Sequence, residues 1–324
     1  MPEFDANATS EQIVEAFSAQ IKGRIFVITG GGQPGIGSSM ATTLARASPE
    51  HILIASRTAA NVEPVLAAIR EAGVKASFVQ VDLTDHGSVR RAAKEILDAT
   101  ASKIDVLINN AGVMAIKEYT VDKQGIEMQL SANHVGHFLL TNLLAPALIA
   151  AAKADPRSVR VVNLSSHAYH FSPFRVDDYN FSGGQTYDLW TGYGQAKTAN
   201  ILFTYGLTKR LQQHGVVSFA AHPGSNFDTK LAAHLTSEDY SSIFAIAKRN
   251  TGCEFVVDQP RSKTYEQIGA TPLAAAVDPD LTPKAPGYLV NSQTAEPARY
   301  ACDPESVEKL WELSEKLVGQ KFSY

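Results

Sequence analysis

Between Arg24 and Ala221, short apolar runs alternate with segments of helical period, and no other feature of the sequence restricts the fold so tightly. The runs predict strands at Ile25–Thr29, Ile52–Ala55, Ala76–Val81, Val106–Asn109, Val159–Leu164 and Val217–Ala221. The segments between them predict helices at Ile36–Ala47, Val62–Glu71, Ser88–Ala99, Ile126–Ala152 and Ala196–Gln213. Strands joined through helices lie parallel, and right-handed crossovers place the helices on both faces. The expectation is an α/β chain with a single Rossmann-type, doubly wound parallel sheet. Ahead of it, Ser10-Glu11-Gln12-Ile13 reads as a capped helix start, with Ile13, Phe17 and Ile21 on one stripe. After it come an irregular stretch with a helical lid, a helix near 263–277, a short strand at Gly287–Val290 and a terminal helix at Pro304–Val318. With no repeat or linker, the chain divides into an N-terminal helical extension (1–22) and one catalytic domain (23–324) whose lid region spans 224–262.

Composition excludes several other classes. A hydrophobic content of 44%, a charged content of 19% and a net charge of −4 describe a chain that buries a large core and has no general attraction for nucleic acid or anionic lipid. Cys253 and Cys302 stand far apart, so neither a disulfide framework nor a cysteine zinc site is expected. The start of the chain has acidic residues and no signal-like apolar core, and the most apolar segment, Val135–Ala152, falls short of the roughly 20 residues that span a bilayer. A cytoplasmic protein without a membrane anchor is the expectation.

The first strand runs into Gly30-Gly31-Gly32-Gln33-Pro34-Gly35-Ile36-Gly37 and then into a helix. Glycines in that position let the backbone approach a pyrophosphate and turn a helix N-terminus towards its charge, so Gly30, Gly35, Ile36 and Gly37 are assigned to a dinucleotide cofactor. The second strand ends in Ser56-Arg57, without the carboxylate that holds the ribose 2′-hydroxyl of NAD. Arg57 instead presents a fork of donors suited to a 2′-phosphate, which favours NADP(H). Asp82 and Leu83, ending the third strand, are placed beside the adenine.

Further motifs give the chain a resemblance to the short-chain dehydrogenase/reductase superfamily, and within it to the retinol-dehydrogenase-like members. Asn109-Asn110-Ala111-Gly112 is similar to the NNAG motif, and Asn133-His134-Val135-Gly136-His137-Phe138 to the NHxGHF helix segment. Ser165-Ser166 ends the fifth strand, Tyr193 and Lys197 form YxxxK, and His222-Pro223-Gly224 ends the sixth strand. The resemblance implies cofactor contacts from Asn110, Ala111, Gly112, Tyr193, Lys197, Pro223, Gly224 and Thr229. Two spacings depart from the pattern: one extra residue between Gly30 and Gly35, and one between Pro223 and Thr229. The pyrophosphate turn is therefore expected to bulge or shift.

Hydride transfer to a carbonyl needs a proton delivered to its oxygen. Tyr193 supplies it if its pKa is lowered, and Lys197, one helical turn later on the same face, favours the phenolate and holds the nicotinamide ribose. By resemblance, Ser166 rather than Ser165 binds the reacting oxygen, and Asn133 orders a water beside Lys197. The segment 167–192 borders the substrate, and its Tyr169, Phe171, Phe174, Tyr179, Phe181, Tyr187 and Trp190 suggest a sizeable apolar or aromatic molecule. His167 and His170 form an HxxH with no carboxylate partner evident in the sequence, so no metal is expected. The resemblance implies a homodimer through the helices near Asn133 and Tyr193. It leaves open a non-redox reaction (isomerase, cyclase or dehydratase) and a cofactor-sensing regulator beside the carbonyl–alcohol oxidoreductase.

Overall fold

The computed structural model describes residues 4–155, 157–227 and 229–324. Its strands are β1 (Ile25–Thr29), β2 (His51–Ser56), β3 (Lys75–Gln80), β4 (Val106–Asn109), β5 (Val159–Leu164), β6 (Val216–His222), β7 (Gly287–Val290) and β8 (Gln293–Ala295). They form one sheet in the order β3-β2-β1-β4-β5-β6-β7-β8, in which all neighbours are parallel except β7 and β8. The antiparallel edge is absent from the sequence reading. Asn291 and Ser292, both in the left-handed region at φ 52° and 64°, close a tight hairpin there without the glycine that usually announces one.

The helices are α1 (Ser10–Ala16), α2 (Ser18–Ile21), α3 (Ile36–Ala45), α4 (Ala59–Glu71), α5 (His86–Ala99), α6 (Met128–Leu130), α7 (Gly136–Ala154), α8 (Leu189–Leu211), α9 (Ser237–Ser241), α10 (Ile243–Thr251), α11 (Tyr265–Ile268), α12 (Ala270–Val277) and α13 (Pro304–Val318). One face of the sheet packs on α1, α3, α4 and α12, and the other on α5, α7, α8 and α13, as two separate hydrophobic clusters. α1 and α2 give Ile13, Val14, Phe17 and Ile21 to the first cluster, so the N-terminal extension shares the core of the sheet. Its cap is Thr9, paired with Gln12 in a capping box, one residue before the predicted start.

Two long helices depart from the sequence reading, α8 in where it starts and the Met128–Ala154 run in its apolar reach. α8 begins at Leu189 because the Asp188 side chain accepts from the Trp190 and Thr191 N–H groups, which draws Trp190 and Tyr193 into the first turns of one helix. The helical run Met128–Ala154 covers 27 residues, enough by length and composition to cross a membrane, and this corrects the reading of Val135–Ala152 as too short. In this fold it is a core helix, with Phe138, Leu139, Leu140, Leu144 and Leu148 fully buried.

α13 covers the faces of α7 and α8. Trp311 lies edge-on to Phe138 with ring centroids 4.9 Å apart, and the Arg210 guanidinium sits 3.9 Å from the indole. His134 reaches the same helix through Ser314 at 2.8 Å. α13 is thus part of the core on this side of the sheet. Trp311→Ala should leave a cavity at this three-helix seam and destabilise the protein by about 3–5 kcal/mol. Urea unfolding followed by circular dichroism should show a clearly lowered midpoint, and an unchanged midpoint would contradict this packing.

Candidate active site

The carboxyl ends of β1, β2, β4, β5 and β6 open into one cavity of about 1640 Å³. Strand order reverses between β1 and β4, the place where such sheets leave a crevice. Gly30 leaves β1 at φ +74°, where a Cβ would stand 2.7 Å from Ala111 Cα, so only glycine lets the turn cross the β4 loop. Its N–H donates to Ala55 O at 2.8 Å. The extra residue is taken up before Gly35, where the Gln33 N–H donates to Asn61 O of α4 at 3.1 Å. The turn bulges towards α4, yet Gly30, Gly35 and Ile36 still line the cavity at the N-terminus of α3. Gly37 does not line it, and packs instead under the Gly30 carbonyl and the Asn110 amide.

Ser56 and Arg57 line the far end of the cavity, where Arg57 is exposed and forms no ion pair among the described residues. Asp82 and Leu83 line it next, with Asp82 Oδ1 accepting from the Thr84 N–H and hydroxyl at 2.9 and 2.7 Å. In the β4 loop, the Asn110 side chain donates to Thr29 O and Gly30 O, both at 2.8 Å, while the Thr29 hydroxyl accepts from the Asn110 and Ala111 N–H groups. Ala111 and Gly112 are left facing the cavity.

Asn133 lies in a wide π-turn, Ser131–Val135, between α6 and α7. Its side chain both accepts from Val113 N–H and donates to Val113 O at 3.0 Å, so the amide holds the β4 loop. Its carbonyl accepts from His137 Nδ1 at 3.0 Å, and His137 Nε2 accepts from the Thr29 hydroxyl at 2.8 Å.

Tyr193 and Lys197 face the cavity from α8, with the Lys197 ammonium 5.4 Å from the phenol ring centre. Ser165 turns away to donate to Lys197 O at 2.9 Å, whereas Ser166 faces the Tyr193 phenol. The choice of Ser166 follows from this geometry. Lys197 donates to Leu164 O at 3.1 Å and has no carboxylate partner among the described residues, so burial lowers its pKa to about 8. Burial raises the Tyr193 pKa, opposed by the Ser166 hydroxyl, and this reverses the depression expected from the lysine. Tyr193 is thus a protonated phenol at neutral pH, in the form that donates a proton.

Pro223, Gly224 and Thr229 line the cavity after β6, and Asp228 lies outside the described residues. Gly224 has φ +95° and abuts the buried side chain of Lys263, whose N–H donates to Ser225 O at 2.7 Å. The lid folds over the opening: Trp190 Nε1 donates to Asp239 O at 2.7 Å and Asn250 Nδ2 to Phe171 O at 2.8 Å. Of the aromatics in 167–192, Phe171 and Trp190 line the cavity. Phe174 and Tyr179 pack instead against the α7–α8–α13 core, and Tyr169 lies in a separate cluster by β7.

The lid also supplies a carboxylate that the sequence reading did not find. Asp258 accepts from His167 Nδ1 at 2.5 Å, His222 Nε2 at 3.0 Å and the Ser225 hydroxyl at 2.6 Å. Burial favours its neutral form, but the bonds from His167 and His222 outweigh that and hold it well below the usual carboxylate range. His170 shares none of these hydrogen bonds; its ring packs at a tilt on Tyr169 and stands edge-on to His167 at 6.0 Å. These groups come from elements far apart in sequence, as do Thr29 and His137, and no motif joins them.

Residues 24–239 match the short chain dehydrogenase family. The chain is 36% identical to retinol dehydrogenase 12 of Mus musculus, covering 93% of this chain and 88% of that one. The chain belongs to the short-chain dehydrogenase family. It is an oxidoreductase of the retinol-dehydrogenase-like kind, also 34% identical to the short-chain dehydrogenase/reductase prx1 of Penicillium roqueforti over 92% of this chain and 86% of the relative. Among solved structures, an uncharacterised protein from Mycobacterium Paratuberculosis superimposes with a TM-score of 0.65 at 30% identity, covering 95% of this chain and 98% of that one. The Pseudomonas aeruginosa RhlG/NADP complex shares the fold with a TM-score of 0.60 at 23% identity, covering 79% and 90%.

A nicotinamide cofactor fits this short-chain dehydrogenase, because the cleared backbone at Gly30, the α3 N-terminus and Lys197 line one cavity. Bound there, it would supply the hydride. Lys197 would hold its ribose, through bonds that are weaker once the amine has lost its charge. Cofactor affinity should therefore weaken as the pH rises through about 8, the direction set by the lowered lysine pKa. Fluorescence titration between pH 6.5 and 9.5 checks this: Lys197→Met should bind more weakly at neutral pH with a flat profile, and an equally flat wild-type profile would contradict the role.

Proposed function

We propose that this protein interconverts a carbonyl and an alcohol on an apolar or aromatic small molecule, with NADP(H) as the hydride carrier. The observation that carries the reading is the meeting of Tyr193, Ser166 and Lys197 at the floor of the cavity that also contains the glycine turn and Arg57. Ser166 holds the substrate oxygen, Tyr193 gives or takes its proton, and Lys197 supplies positive charge beside the phenol. Phe171, Trp190, Tyr240 and Phe255 give the substrate end an aromatic wall under the lid, which suits an apolar molecule.

NADP(H) is favoured by Arg57 at the end of β2 and by the lack of a carboxylate on Ala55, Ser56 or Arg57. Neighbours of the same fold include both the RhlG complex with NADP and an NADH-dependent reductase complexed with NAD, so the fold is neutral on this point. Arg57→Ala should weaken NADPH binding by about 10 to 100-fold, the loss of one charge-assisted contact, and leave NADH binding nearly unchanged. Titration of both cofactors checks it, and equal weakening of the two would assign Arg57 to something other than a 2′-phosphate. Tyr193→Phe should retain cofactor binding and lose about 100 to 10,000-fold in turnover on a verified carbonyl substrate. Wild-type turnover in that variant would remove Tyr193 from the chemistry.

A further inference from the structure

His167 brings to the cavity a polar atom that neither the Tyr193 centre nor the cofactor cradle uses. His167 directly follows Ser166, lines the same cavity and keeps 24% of its side chain exposed. Consecutive Cα atoms are about 3.8 Å apart, so this imidazole is rooted beside the group that holds the substrate oxygen. Asp258 sets its tautomer: a carboxylate only accepts, so His167 Nδ1 carries the proton of the 2.5 Å bond. One face of the ring stacks on His222, with centroids 4.0 Å apart and planes 21° from parallel. What remains is Nε2, which has no hydrogen-bond partner among the described residues and is not among the fully buried polar atoms. In the neutral ring this nitrogen presents a lone pair.

The cluster of two imidazoles and a carboxylate has the composition of a cation site, but its hydrogen bonds favour a different use. The His167 backbone N–H donates to His222 Nδ1 at 3.3 Å, so Nε2 is the protonated nitrogen of the neutral His222 ring and donates to Asp258. A cation on His222 Nε2 would have to displace that proton and disrupt the backbone contact. The arrangement instead fixes the orientation of His167 from three directions: β5, whose end it follows, β6 through His222 and Ser225, and the lid through Asp258.

We infer that His167 is a specificity-determining residue whose Nε2 accepts a hydrogen bond from a hydroxyl group of the substrate, close to the carbonyl held by Ser166 and Tyr193. This rests on the carbonyl–alcohol reading and narrows its substrate class to hydroxylated ketones, or diols in the reverse direction. Asp258 is the positioning residue: it holds the proton on Nδ1, which in the neutral ring leaves Nε2 as the acceptor. An acceptor among aromatic walls discriminates strongly, because a methyl in place of the hydroxyl leaves it unpaired.

Steady-state NADPH oxidation with matched aryl ketones tests the inference: 2-hydroxy-1-phenylethanone against propiophenone, and 3-hydroxy-1-phenylpropan-1-one against butyrophenone. Within each pair a hydroxyl replaces a methyl, and their kcat/KM ratio cancels any general loss of folding or cofactor affinity. The wild type should favour the hydroxyl member by about 10 to 100-fold in at least one pair. His167→Phe, which keeps a ring against His222, should abolish that preference. Asp258→Asn should reduce it, because the new amide can donate to Nδ1 and turn Nε2 into a donor. Equal wild-type turnover within both pairs, or a preference that survives His167→Phe, would overturn the inference while leaving the carbonyl–alcohol reading in place. No oxidation of NADPH or NADH by any of the four ketones in the folded wild type would overturn that reading, and the inference with it.

Discussion

The hydroxyl of Thr29 is the joint on which the site depends. It accepts the Asn110 and Ala111 N–H groups and donates to His137, which in turn donates to the Asn133 carbonyl. All three hydrogen-bonding positions of the hydroxyl are thereby used. The end of β1, the loop after β4 and the π-turn before α7 are locked together, in an interior where an unmade bond would be costly. Burial lowers the His137 pKa to about 4, so the ring stays neutral, as the chain of donors requires. The glycine turn can cross the β4 loop closely because this network fixes how far apart the two strand ends stand.

The same enclosure sets the electrostatics of the reacting groups. Tyr193 and Lys197 lie on one buried helix face, where each uncharged form is favoured: the phenol stays protonated and the ammonium is weakened. A dinucleotide bound in this cavity would carry negative charge, which would favour the charged lysine again.

Much of this was legible in the sequence, and the exceptions share a cause. The parallel strands, the glycine turn, Arg57, Ser166 and the Tyr193–Lys197 pair are local patterns whose spacing carries their meaning. Long-range partners carry no such signal. Asp258 lies 91 residues from His167, so an HxxH that looked unpartnered acquires a carboxylate only when the lid folds back. Asn133 lines the cavity, but its amide serves Val113, a use that the helical pattern does not encode. Phe174 and Trp190 look alike in an aromatic-rich segment, yet the Asp188 cap directs Trp190 to the cavity while Phe174 packs on the far core. α13 covering α7 and α8 is likewise a tertiary fact that no local pattern announces.

The central claim is that hydride passes directly between a nicotinamide ring and a substrate carbon beside Tyr193. NADPH deuterated separately at each of the two C4 positions, with mass spectrometry and NMR of the alcohol formed, tests it most directly. The account predicts deuterium on the carbinol carbon from one labelled cofactor and not the other, with none at that carbon when the solvent alone is deuterated. A product without cofactor deuterium, or with solvent deuterium at that carbon, would contradict direct transfer and point to a reaction in which the cofactor undergoes no net redox change.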